Sequence, residues 1–300
     1  MNKLVKIKDF NLTATMECGQ CFNFRSVGEN EYIITAFSCV AHVKQNKDKL
    51  EFFDDVSYRK EDLLSLEEEI EKVWLPYFDL ERDYAAIRKG IVDCDPKMKE
   101  VVANNSGIRL LNQDFYEMVI SFIISQRQNI PQIKNIIRNL SVAYGKEIGE
   151  YDGVKYYSFP DIDALSELKE EDFAACKTGY RASYLVAASK WLKELDYDMK
   201  DLDYAGARKE LLTVKGIGEK VADCILLFGL KKTESFPVDV WIARVMNELY
   251  GNQMRKKYGL KDEKLVANDK IRAFGEEKFG VLSGYAQQFL FDYGRNGKNK

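Results

Sequence analysis

Three hundred residues, 46% apolar and 12% aromatic, are enough to bury a sizeable core and suit two domains or one large one. No run reaches the apolar length of a membrane span, and the N-terminal MNKLVKIKDFNLT lacks the apolar block of a signal peptide, so a globular chain inside the cell is expected, in the cytoplasm if the source is bacterial or archaeal. The formal net charge of −3 weighs against a nucleic-acid partner when averaged over the chain, but eleven basic and six acidic residues between Asn252 and Lys300 leave that segment at +5 and the preceding 251 residues at −8.

In chain order, the first feature is Cys18 and Cys21, a C-x-x-C. A zinc site needs about four Cys or His ligands. No second closely spaced cysteine pair follows and His42 is the single histidine, so buried free thiols are favoured over zinc and no metal is assigned. The six cysteines, scattered from 18 to 224, fit reduced thiols better than a disulfide framework. Next, "EYIITAFSCVAHVKQ" and "KLEFFDDV" alternate apolar and polar residues and read as antiparallel strands, with the turn-rich "SVGEN" and "KQNKDK" between runs. At "SYRKEDLLSLEEEIEKVWLPYF" the period becomes helical, and Pro76 marks a break.

Beyond that point nearly the whole chain reads as helix, in "DYAAIRKGIVD", "PKMKEVVANN", "DFYEMVISFIIS", "IPQIKNIIRNLSVAYG", "RASYLVAASKWLKEL", "ARKELLTV", "EKVADCILLFGL", "VDVWIARVMNELYG" and "GYAQQFLFDYG". Asp, Pro and Gly stand at several of their ends as caps and stops. The expected fold is α+β and predominantly α: a small antiparallel β domain over residues 1–77 and a helical domain over 78–300.

The stretch "LLTVKGIGEKVADCILLF", residues 211–228, places Gly216 and Gly218 just before Lys220. It is not a dinucleotide fingerprint, because a helical pattern precedes it and Val221 stands where the third glycine belongs. Nor is it a phosphate-binding Walker loop, whose lysine follows glycine directly and precedes Ser or Thr. Helix, short turn, helix remains. Such a turn exposes backbone N–H groups at a helix N-terminus, an anion site that needs no side-chain charge. A plain helical hairpin closed by two glycines fits the stretch equally well.

Lys220 falls in the first turn of a helix, where the helix dipole disfavours a cation by up to about 1 kcal/mol. That environment suits an amine nucleophile, although an exposed lysine tolerated at small cost is the simpler alternative. Nineteen residues on, within the segment 236–249, "SFPVDVWIARV" sets Pro237 and Asp239 just ahead of another apolar-periodic run, and Asp239 is well typed as a helix N-cap.

Together, "LLTVKGIGEKVADC" and "FPVDVW" resemble the helix-hairpin-helix, Gly/Pro-rich, Asp motif of base-excision DNA glycosylases. In that superfamily the hairpin grips the DNA backbone and the later aspartate is catalytic. A lysine at the place of Lys220 marks members that both release the base and nick the strand. The likeness extends over roughly Glu68 to Arg295, and "GIRLLNQDFYEMVISFIIS", "TGYRASYL", "PVDVWIARV" and "GYAQQFLF" are similar to segments of 8-oxoguanine DNA glycosylases of the eukaryotic type. Related branches carry a C-terminal four-cysteine iron–sulfur cluster, whereas no cysteine follows Cys224 here.

The resemblance implies roles for particular residues. The backbone carbonyl of Gly19, in "CGQCFNF", would accept the N7 hydrogen that 8-oxoguanine has and guanine lacks. Cys224 and Phe291 would sandwich the base, and Gln287 would read its pyrimidine edge. The i,i+4 spacings of Lys220 with Cys224 and of Gln287 with Phe291 agree with a shared pocket, although core packing is the ordinary use of such positions. Gly216 and Gly218 would present the phosphate grip. No organic cofactor is implied; a monovalent cation on the hairpin carbonyls is.

Three positions depart from the family pattern. Where an asparagine fills the space left by the flipped base, this chain has Arg127, with Asn129 two residues later. An arginine that checks for cytosine opposite the lesion is replaced by Gln132, although Tyr180 and Arg181 match the neighbouring wedge and the second cytosine contact. A histidine two places after the aspartate is Trp241. The expected activity is that of a monomeric, bifunctional DNA N-glycosylase and abasic-site lyase acting on double-stranded DNA that contains 8-oxoguanine. The alternatives are a glycosylase of this fold for alkylated or other oxidised purines, and a non-catalytic helix-hairpin-helix DNA-binding protein.

Overall fold

A computed structural model describes residues 2–57, 64–104, 107–261 and 264–296. Five strands form one antiparallel sheet: β1 Lys3–Lys6, β2 Phe24–Gly28, β3 Glu31–Ala36, β4 Cys39–Asn46 and β5 Lys49–Phe53, in the spatial order β1-β5-β4-β3-β2. The run expected as one strand from Glu31 to Gln45 is two, because Phe37 (φ 51°) and Ser38 (φ 61°) turn the chain between β3 and β4. Both take the left-handed conformation of a two-residue hairpin loop, without the Gly or Asn that usually signals one.

The sheet buries Ile34, Val43, Leu50 and Phe52 against Ile70, Trp74, Tyr77 and Phe78. Those four come from the helical segment expected over 57–78, of which residues 58–63 lie outside the described structure. It starts at a capping box made by Ser65 and Glu68, then runs as Leu66–Glu69, a π-helical turn Ile70–Trp74, and Leu75–Tyr77. Pro76 has no N–H to donate and would crowd the carbonyl four residues back, so the wider turn before it is the expected accommodation. Asn105, the last residue of the helix expected at "PKMKEVVANN", also lies outside the described residues; the helix runs Met98–Asn104.

The second core belongs to the helices. Phe115–Ile124 is its central rod, with seven of ten residues buried, and it packs on Glu219–Gly229, where nine of eleven are buried. The rings of Phe122 and Phe228 stack at 5.4 Å across that contact. Phe78 packs with the sheet and Tyr84 with the helices, while the extended run after Gly107 alternates between them, Leu110 to the helices and Leu111 to the sheet.

One strand pair interrupts the region expected to be helical: β6 Glu147–Tyr151 and β7 Val154–Tyr157. Its turn is Asp152 (φ 51°) and Gly153 (φ 71°), an Asp-Gly hairpin signal visible in the sequence. The flanking strands are half-buried and polar, so they lack the alternation by which strands are recognised. Asn268–Phe279 is a further helix that the sequence reading left unassigned. No helix among the described residues is long and apolar enough to cross a membrane.

Candidate active site

The first hairpin helix, Tyr204–Leu211, is capped by Asp203, whose side chain accepts from Gly206 N at 2.7 Å. Ile217 N donates to Val214 O at 3.0 Å, closing the turn. Gly216 has φ +92°, and a Cβ on it would lie 2.4 Å from Tyr184 Cγ, so both backbone and packing demand glycine. Gly218 meets no such wall. It is the N-cap of the second helix, Glu219–Gly229, and supplies no side chain to cover the first N–H groups. Those donors point out of a bare helix N-terminus, the arrangement that binds phosphate. Glu219, in that first turn, is drawn aside by Arg272 at 2.8 Å.

From the first turn of that helix and the next, the side chains of Lys220 and Cys224 line a cavity together with Asp239, Gly19, Gln287 and Phe291. The Lys220 Nζ stands 5.4 Å from the centre of the Phe122 ring. Asp239 caps Val240–Tyr258, its Oδ1 accepting from Trp241 N at 3.0 Å and Ile242 N at 2.9 Å. Capping and a place at the cavity wall therefore belong to the same carboxylate. Burial pushes the Asp239 carboxyl above its ordinary pKa, opposed by the Ile242 N–H and the charge of Lys220. Burial likewise pushes the Cys224 thiol up to about 11, against the nearby Lys220 charge. Cys224 is thus a neutral, soft surface at neutral pH.

Across the cavity, Gly19 has φ +77°, and a Cβ on it would make ordinary contact, 3.5 Å, with Phe291 Cε1 and Ile130 Cδ1, so the backbone conformation and not the packing favours glycine. Gln287, 5% exposed, donates from Nε2 to Pro237 O at 3.1 Å. Its Oε1 is buried and meets no donor among the described residues. An orphaned buried acceptor costs roughly 1–3 kcal/mol, which a donor entering the cavity would relieve.

The residues expected to touch DNA divide into two groups. Arg127 is exposed at φ 52° between two helices, Gln132 is exposed one turn beyond, and Tyr180 is 53% exposed with its hydroxyl 3.4 Å from Gln126 O. Arg181 departs from the expectation. It is 3% exposed, its Nε donates to Gln126 O at 3.0 Å and its guanidinium also to Thr178 O at 3.1 Å, so it ties its own loop to the segment after Phe115–Ile124 instead of facing outward. Asn129, offered as a gap-filler, is the N-cap of Ile130–Tyr144 and accepts from Gln132 N at 3.0 Å. Trp241 is half-buried, with exposed Arg244 over its ring at 5.1 Å.

Sequence reading passed over several supporting residues. The Gln126 side chain donates to Gly216 O at 3.0 Å while its own carbonyl holds Arg181, joining the hairpin to the Tyr180–Arg181 loop. Gln288 and Gln113 hold the Gly19 loop. Nothing local signals these contacts. Cys18 and Cys21 are buried free thiols, burial pushing Cys18 up to about 12. Among the described residues no group of three or more His, Cys, Asp or Glu side chains is placed to hold a metal ion.

A glycine hairpin at a bare helix end, an amine in the first turn that follows and a capping aspartate thus share one cavity. Residues 120–267 match the model of the HhH-GPD superfamily of base excision DNA repair proteins, and residues 3–119 match that of the 8-oxoguanine DNA glycosylase N-terminal domain. The chain belongs to the 8-oxoguanine DNA glycosylase family. A probable N-glycosylase/DNA lyase of Methanothermobacter thermautotrophicus is 29% identical over 97% of this chain and 95% of its own length. The Clostridium acetobutylicum 8-oxoguanine glycosylase/lyase, solved with double-stranded DNA containing cytosine opposite 8-oxoguanine, is 37% identical with a TM-score of 0.84 over 99% of this chain and 98% of its own. A 3-methyladenine DNA glycosylase of Archaeoglobus fulgidus shares the fold at 19% identity, with a TM-score of 0.75 over 98% of this chain and 99% of its own.

Proposed function

We propose that this chain removes 8-oxoguanine from double-stranded DNA and then nicks the strand at the resulting site. The observation that carries the reading is the convergence of the Lys220 amine, the Asp239 carboxylate and the orphaned Gln287 Oε1 on one cavity beside a bare helix N-terminus.

A base in the stack cannot reach this cavity, so the nucleotide swings out, at a cost of a few kcal/mol that wedge side chains such as Arg127 and Tyr180 offset by filling the gap. Backbone N–H groups after Gly218 hold a phosphate beside it. Gln287 Oε1 accepts from the pyrimidine edge, Cys224 and Phe291 cover the faces, and the Gly19 carbonyl accepts the N7 hydrogen. Neutral Lys220 attacks C1′ as the C1′–N9 bond breaks and the base departs with the bonding pair, to be protonated. Asp239 stabilises the positive charge on the sugar. Loss of the ring oxygen bond gives a Schiff base; removal of a C2′ proton then expels the 3′ phosphate, and water frees Lys220. A monovalent cation on hairpin carbonyls belongs to the same proposal, as does a monomer working inside the cell.

The test is borohydride trapping on a duplex carrying one 8-oxoguanine. A covalent adduct is expected with the wild-type chain and none with Lys220→Gln, which keeps its DNA affinity because backbone amides make the grip. Base release by Lys220→Gln at the wild-type rate would overturn the nucleophile; excision of alkylpurines in preference to 8-oxoguanine would overturn the substrate.

A further inference from the structure

Resting on that reading, we propose that Gln288 is a positioning residue that sets the width of the lesion slot. The slot has two hydrogen-bonding walls separated by most of the chain: the loop around Gly19 and the helix Ser283–Asn296 that presents Gln287 and Phe291. Gln288 is the next residue on that helix. It is 2% exposed, and its Nε2 donates to the carbonyl of Cys18 at 3.1 Å, one peptide before Gly19. Two turns further along, Arg295 donates to the carbonyl of Glu17 at 2.9 Å. Both bonds run from the wall that reads one edge of the base to the loop that reads the other.

The loop is also held from behind. Gln113 Nε2 donates to the carbonyl of Gln20 at 2.8 Å, and the Gln20 side chain spans Arg109 O at 2.7 Å and Leu111 N at 2.9 Å. The carbonyls on either side of Gly19 are therefore clamped by side-chain amides from two different parts of the fold, buried Gln288 and half-buried Gln113. The Gly19 carbonyl between them receives no donor among the described residues. A glycine at φ +77° does not hold a backbone in place by itself. The amides do, and Gln288 is the one that fixes the loop relative to Gln287. One hydrogen bond tells 8-oxoguanine from guanine here, so a small change in slot width falls on recognition more than on the chemistry at C1′.

Gln288→Met keeps the volume and removes the donor. Single-turnover excision of 8-oxoguanine is measured beside strand cleavage at a preformed abasic site, which uses Lys220 but has no base to recognise. Excision is expected to fall about tenfold or more, with abasic-site cleavage within about twofold of wild type. Unchanged excision overturns the proposal. If both activities fall together, Arg295→Met decides, since it loosens the same span near the chain end: a selective loss of excision supports positioning, and a parallel loss or no loss overturns it. Absence of excision by the wild-type chain would instead overturn the function itself, so the two failures are distinguishable.

Discussion

Gly216 lies against the ring of Tyr184 so closely that a single added carbon would stand 2.4 Å from Cγ. Tyr184 in turn meets the exposed ring of Tyr180 edge-on at 6.1 Å. The glycine turn and Tyr180 are thus one packed unit. Gly216→Ala adds the strain of a positive φ and an overpacked contact, together about 2–4 kcal/mol. Urea unfolding should show that loss, and binding to undamaged duplex should weaken because the proposed phosphate grip moves with the turn. An alanine variant as stable as wild type would mean that the hairpin relaxes freely.

Asp239 caps a helix and faces the cavity, and the two roles can be separated. Asparagine is as good an N-cap as aspartate. Asp239→Asn should therefore unfold within about 0.5 kcal/mol of wild type while excision falls by about 100-fold or more. Asp239→Ala should lose the activity and about 1 kcal/mol besides. Equal activity of Asn and Asp variants would leave the residue only its cap.

Burial holds the Cys224 thiol protonated to about 11, above the ordinary 9.0. The folded state then keeps a proton that the unfolded chain gives up, so the stability from this group is full below pH 9.0 and lost as pH rises through about 11. Within that window the slope is roughly 1.4 kcal/mol per pH unit. Denaturant midpoints measured from pH 8 upward should fall less steeply for Cys224→Ala than for wild type. Identical slopes would mean that Cys224 ionises freely in the native protein.

Arg181 spends its guanidinium on the carbonyls of Gln126 and Thr178, and exposed Gln132 stands where the resemblance implies a cytosine-reading arginine. A good bidentate arginine contact is worth about 1–3 kcal/mol of base discrimination. Without one, excision rates opposite the four bases should lie within about tenfold of each other. Arg181→Gln should cost stability, on the order of 2–4 kcal/mol for a buried, multiply bonded charge, and leave that ratio unchanged. A strong cytosine preference abolished by Arg181→Gln would show that the side chain leaves its pocket on DNA.

Much of this was legible locally. Helix ends were marked by caps such as Asp114 and Asp239, each of which accepts from a backbone N–H two or three residues ahead. The hairpin and its lysine were legible for the same reason, since glycine freedom and helix-end geometry act within a few residues. The β6–β7 hairpin was missed despite its Asp-Gly turn because polar, half-buried strands carry no alternation.

The sequence by itself determined the short-range elements and the identity of the chemical groups: which helices start where, that residue 216 is a glycine where the turn needs one, that an amine and a carboxylate are available. Hydrogen bonds and periodicity over three or four residues are encoded in neighbouring letters. Only the tertiary structure decided that the Gly19 loop faces a helix some 270 positions away, held there by the Gln288–Cys18 bond. It also decided that Arg181 points inward and that the Gln287 Oε1 is left without a donor. Those outcomes depend on burial and on which carbonyls come within reach after two cores have packed against each other, and no local pattern carries that information.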